Sequence, residues 1–161
     1  MVFILVSALL QSTVLSRLRI YIYAVPDIAL IILVYVSYVN GTMTGQLTGF
    51  FSGFFLDFLS AAPLGLNAVI RTIIGALSGL LRGTFFLDIV FLPMALCAGA
   101  TALKAILFFL LYLLLAETVP SYSLFALNFW VELGLNTLLA PFIFGFLKLF
   151  EPLLAKQNEE R

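Results

Sequence analysis

The sequence predicts an all-α polytopic membrane protein, a single domain over residues 1–161 with six transmembrane helices. Three observations predict it. The chain is 63% apolar and only 10% charged, against about 25% charged in a soluble domain, and its mean hydropathy is +1.19. The apolar runs are separated by short breaks of proline, glycine, asparagine or charge. Two consecutive runs also carry glycine at every fourth residue, a spacing that clears one face of a helix. The formal net charge is zero, which gives no electrostatic support to a nucleic-acid partner. The chain has no histidine, so Ser-His-Asp triads and most zinc sites are excluded. The one cysteine, Cys97, lies in an apolar run and allows no intramolecular disulfide.

The first span is expected over residues 2–16. It has no basic segment before its apolar core and no small-residue cleavage site after it, so it reads as a retained span rather than a signal peptide. Gln11, Ser12 and Thr13 suit a position packed among other helices. Arg17 and Arg19 end it, and Tyr21 and Tyr23 belong at the membrane–water interface. The second span, 26–41, opens with Pro26 and Asp27. Proline is tolerated where the first N–H has no partner, and an acid in the first turn suits the helix dipole, so Asp27 reads as a start signal. The third span, 43–60, follows after so short a turn that it must run antiparallel to the second. Pro63 and Gly65 turn the chain into the fourth span, 67–82. The fifth and sixth, 88–116 and 124–150, exceed the roughly 20 residues needed to cross the hydrocarbon core, so tilt, a proline kink or an overhang is expected.

Six spans put both termini on one side. Arg82, Lys148, Lys156 and Arg161 lie on that side and Arg17 and Arg19 on the other. The positive-inside rule therefore puts both termini in the cytoplasm.

Three constellations stand out. Gly45, Gly49 and Gly53 in the third span and Gly75 and Gly79 in the fourth form helix-packing ridges. They can seat a partner's helix or, as small residues more commonly do, pack inside their own bundle. Asp57 and Arg71 lie about 5 and 6 Å inside the turn between these spans at 1.5 Å per residue. An ion pair between them would spare each the several kcal/mol that a lone charge costs in hydrocarbon; a proton or ligand site is the alternative. Lys104 and Glu132 come out at depths about 6 Å apart, within a lysine's reach. Asn128, Glu132 and Asn136 make a polar stripe at four-residue spacing. It can line a cavity, face a partner, or close internally on Lys104. No phosphate-binding loop, metal cluster or nucleophile constellation is present, so neither a cofactor nor an enzymatic activity is expected.

Gln11-Ser12, Pro26-Asp27, the run Gly45, Gly49-Phe50, Gly53, Asp57, Ser60, Pro63-Leu64-Gly65, and then Gly75 and Gly79 stand in an order that resembles the MreD family of bacterial rod shape-determining membrane proteins. The resemblance is strong over residues 1–83 and beyond them rests on hydrophobicity alone. It implies a fold similar to the substrate-binding subunits of energy-coupling-factor vitamin transporters. It also implies a non-enzymatic role in the cell-wall elongation complex of the cytoplasmic (inner) membrane. The implied partners are MreC, with RodA, its transpeptidase and MreB in the same complex. A vitamin-binding subunit of such a transporter is the alternative. The outer loops, residues 60–66 and 117–123, are short and nearly uncharged, which favours the interaction protein.

Overall fold

The computed structural model describes residues 26–60, 63–83, 90–115 and 127–149. They form five α-helices and no strand: α1 (Ile28–Asn40), α2 (Thr42–Leu59), α3 (Leu66–Leu80), α4 (Phe91–Leu115) and α5 (Leu127–Lys148). The expected first span, Arg17 and Arg19, the second outer loop and the C-terminal tail lie outside the described residues.

Helix length sorts these elements. Helices α4 and α5 have 25 and 22 residues, roughly 38 and 33 Å, enough to cross a hydrocarbon core of about 30 Å. Both are apolar enough to do so. Pro93 falls in the first turn of α4, where its missing N–H is tolerated, and Pro141 lies inside α5. Helix α1 has only 13 residues and α3 has 15, or roughly 20 and 22 Å. The second and fourth expected spans are therefore shorter as helices than a perpendicular crossing requires.

Burial explains why α1 can be short. Its sequence, IALIILVYVSYVN, is apolar on every side, the pattern of a helix enclosed by others. Every residue from Ala29 to Ser37 is buried, and α1 touches α2, α3, α4 and α5. Leu30, Ile31, Leu33 and Val34 form the centre of the core. Ile70 and Ile74 of α3 join it from one side, and Leu96, Cys97, Ala140 and Phe144 of α4 and α5 from the other. Tyr35 meets Phe144 edge to face, with centroids 5.1 Å apart.

Gly41 links α1 to α2 with φ at +88°, a value that side chains rarely adopt. Arg82, at the end of α3, donates to the carbonyl of Asn40 (3.3 Å) and so ties the ends of α1 and α3 together. The outward face of α2 carries Phe50, Phe54 and Phe58, all exposed. Phe50 stacks on Phe54 at 5.9 Å, and Phe54 meets Phe58 edge to face at 4.7 Å.

Candidate functional site

Helices α2 and α3 meet backbone to backbone, in the most extensive contact among the described helices. A Cβ on Gly45 would collide with the carbonyl of Gly75, and one on Gly75 with that of Gly45. At Gly49 it would strike the Arg71 carbonyl, at Gly53 it would lie 2.5 Å from Ala68 Cα, and at Gly79 it would lie 2.6 Å from Thr42 Cα. The five ridge glycines thus all lie against backbone across the hairpin, Gly45 and Gly75 against each other.

The hairpin fixes where the charges go. Gly49 lies against the backbone of Arg71, so the Arg71 side chain leaves α3 away from α2. The expected ion pair between Asp57 and Arg71 is not formed. Asp57 instead caps the next helix. Its Oδ2 accepts from the backbone N–H groups of Gly65 (2.9 Å) and Ala68 (3.1 Å). Its Oδ1 accepts from the backbone N–H of Asn67 (3.0 Å) and from Asn67 Nδ2 (2.9 Å). The opening N–H groups of a helix have no partner within it and carry partial positive charge. They supply what a buried carboxylate needs, and no cation is required. Gly65, at φ +96°, makes the turn that brings them to Asp57.

Arg71 is bound to Asp27. Its Nη2 donates to both carboxylate oxygens, Oδ1 at 2.7 Å and Oδ2 at 2.9 Å. Asp27 also serves as the N-cap of α1, its Oδ1 accepting from the backbone N–H of Leu30 at 3.0 Å. Lys104 Nζ reaches Asp27 Oδ2 at 2.8 Å and Glu132 Oε1 at 2.6 Å. Asn136 completes the cluster: its Oδ1 accepts the Asp27 backbone N–H (2.8 Å) and its Nδ2 donates to Thr101 Oγ1 (3.1 Å). Thr101 donates in turn to the carbonyl of Cys97 (2.8 Å). The network therefore joins α1, α3, α4 and α5 through four charges that sum to zero.

Burial differs across it. The side chains of Arg71 and Asp27 are 3% and 4% exposed, whereas those of Lys104 and Glu132 are 15% and 13% exposed. The inner pair is sealed and the outer pair lies at an edge. Arg71 Nη1 is buried and makes no hydrogen bond among the described residues.

The expected polar stripe of α5 is divided. Asn136 is fully buried and Glu132 is engaged with Lys104, so these two turn inward, while Asn128 is exposed. A partner approaching α5 would meet Asn128 and the edge of Glu132, but not Asn136. The physical reason is that α1 begins at Asp27 beside α5, and its first N–H needs an acceptor that only a polar residue of the neighbouring helix can offer. Sequence reasoning missed Asp27 as the hub and Thr101 as a member. The available signal was Asp27 itself: a carboxylate at the start of so apolar a helix must be compensated, and its dipole role left room for cations as well.

Among the described residues the chain is all-helical, with two helices long and apolar enough to cross a membrane, a glycine-zipped hairpin and a buried, neutral ion network. A family model described as rod shape-determining protein MreD matches residues 1–150. The chain belongs to the MreD family, whose members are bacterial membrane proteins that determine rod shape. No curated protein and no solved structure matches it.

Proposed function

We propose that this protein works as a non-enzymatic, six-span component of the cell-wall elongation complex, holding other membrane proteins rather than turning over or carrying a substrate. The family match over residues 1–150 carries this reading. Its site agrees with it: the charges are spent on one another and on helix ends, as in a scaffold whose polar groups keep a rigid shape. MreC is the proposed direct partner, with RodA, its transpeptidase and MreB in the same assembly, and the fold is proposed to be like that of the energy-coupling-factor substrate-binding subunits. The partner's single helix is proposed to seat along α4 and α5, beside Asn128 and the Glu132 edge. The α2–α3 groove is not available for it, because each helix of the hairpin fills the other's ridge.

Photocrosslinkers along the exposed faces of α4 and α5 in living cells should capture a single-span partner, and depletion should turn rods into spheres. Normal cell shape on depletion, together with saturable vitamin binding by the purified protein, would make the transport subunit the correct reading. Both termini are proposed to be cytoplasmic. A reporter fused after Arg82 should then read cytoplasmic and one after Val119 external; the reverse pattern would overturn that topology.

A further inference from the structure

The four charges of the network divide along a boundary in the fold. Asp27 and Arg71 belong to the body made of α1, α2 and α3; Lys104 and Glu132 belong to the pair α4 and α5. Each body contributes one acid and one base to the network. The sole ionic tie between the two among the described residues is Lys104 to Asp27, at 2.8 Å. Separating charges in hydrocarbon is normally prohibitive because it strands one of them. Here the tie can break without doing so, since Lys104 keeps Glu132 and Asp27 keeps Arg71.

The geometry of Arg71 points the same way. Its Nη2 alone serves both oxygens of Asp27, while Nη1 is buried and unpartnered among the described residues. Asp27 Oδ2 is shared between Arg71 and Lys104. Once Lys104 withdraws, Arg71 can turn to the two-pronged, parallel contact that guanidinium and carboxylate favour, which would employ Nη1. The Arg71–Asp27 pair would then keep its two hydrogen bonds in that geometry, and the buried Nη1 would gain a partner. Among the described residues, the backbone bond from Asp27 to Asn136 is the other polar tie at this end that would open. At the opposite end of α1 the bodies are held by apolar packing of Tyr35 on Phe144 and by Leu147.

We infer that Lys104 and Asp27 form a reversible latch, and that α4 and α5 swing from the α1–α3 body at the Asp27 end while the Tyr35–Phe144 end stays packed. This goes beyond the scaffold reading and does not depend on which partner is held. Two packed bodies with two charge-balanced arrangements make a bistable element of the kind that a partner's binding can bias.

The test uses the full chain in lipid nanodiscs with Cys97→Ser and pairs of spin labels at exposed positions. Val69 and Trp130 report the latch end; Leu80 and Leu149 report the other. The double change Lys104→Met and Glu132→Gln removes the tie and leaves Asp27 and Arg71 as a balanced pair. The Val69–Trp130 distance should then shift to longer values with the Leu80–Leu149 distance unchanged. An unaltered Val69–Trp130 distance in the folded double variant would overturn the latch. If that variant does not fold, the chain with native Lys104 and Glu132 decides. Two populations at the Val69–Trp130 pair and one at Leu80–Leu149 support the latch, and a single narrow population at both overturns it.

Discussion

The α2–α3 hairpin and the α4–α5 pair solve the same problem in opposite ways. In the hairpin, five glycines remove the side chains and the backbones touch, and the one buried acid is compensated by peptide N–H groups. In the α4–α5 pair, Gly99, Gly134 and Gly145 face open space, and the contact carries a lysine, a glutamate, an asparagine and a threonine. Lipid tails are as apolar as leucine, so helices in a bilayer associate through close packing or through polar contacts. The first device tolerates no added atom, and the second tolerates added atoms but no unbalanced charge.

The hairpin is the more fragile of the two contacts. Gly49→Leu puts a branched side chain where the Arg71 backbone stands, and backbone cannot yield as a side-chain tip does. Folded yield in membranes should fall to near zero, measured by detergent-extracted monodisperse protein. A variant that folds normally would show that α2 and α3 are not in backbone contact.

Asp27→Ala should come next. It leaves Arg71 and Lys104 buried with Glu132 as their only acid in the network, and removing one member of a buried ion cluster typically costs about 3–5 kcal/mol. Thermal unfolding in detergent should show a large fall in midpoint. A midpoint within a degree or two of the native protein would mean that the network contributes nothing.

Gly134→Ala should have the smallest effect. The residue is helical with nothing near its absent Cβ, so alanine should be neutral or stabilise by up to about 1 kcal/mol. A marked loss of folded protein would reveal a partner or neighbour packed on that face. Set beside Gly49, it separates glycines that are required from glycines that are incidental.

The sequence made the hairpin legible because a four-residue spacing is a property of one helix, and two such helices joined by Pro63 and Gly65 have to meet. Helix-rise arithmetic also brings Lys104 within reach of Glu132, and the structure has them 2.6 Å apart. The partner of Arg71 was not legible in the same way. Depth along the helices is similar for Asp57 and Arg71, but depth does not tell the direction in which a side chain leaves its helix. The glycine ridge settles that direction: Gly49 lies against the Arg71 backbone, and the guanidinium departs towards Asp27 at the start of α1. Asp57, meanwhile, is taken by the opening N–H groups of α3, which the position of Gly65 just before the helix would have suggested. The stripe on α5 misled for a related reason. Periodicity placed Asn128, Glu132 and Asn136 on one face, and only the position of α1 reveals that the inner part of that face is already occupied.

Arg71 is bound to Asp27 and not to Asp57. Two double-mutant cycles on thermal stability in detergent test it directly, one combining Arg71→Met with Asp27→Asn and the other combining Arg71→Met with Asp57→Asn. The structure predicts strong coupling in the first, where the double change leaves Lys104 and Glu132 as a balanced pair and costs much less than the sum of the single changes. It predicts near-additivity in the second, within about 0.5 kcal/mol. Coupling between Arg71 and Asp57 with additivity between Arg71 and Asp27 would contradict the account.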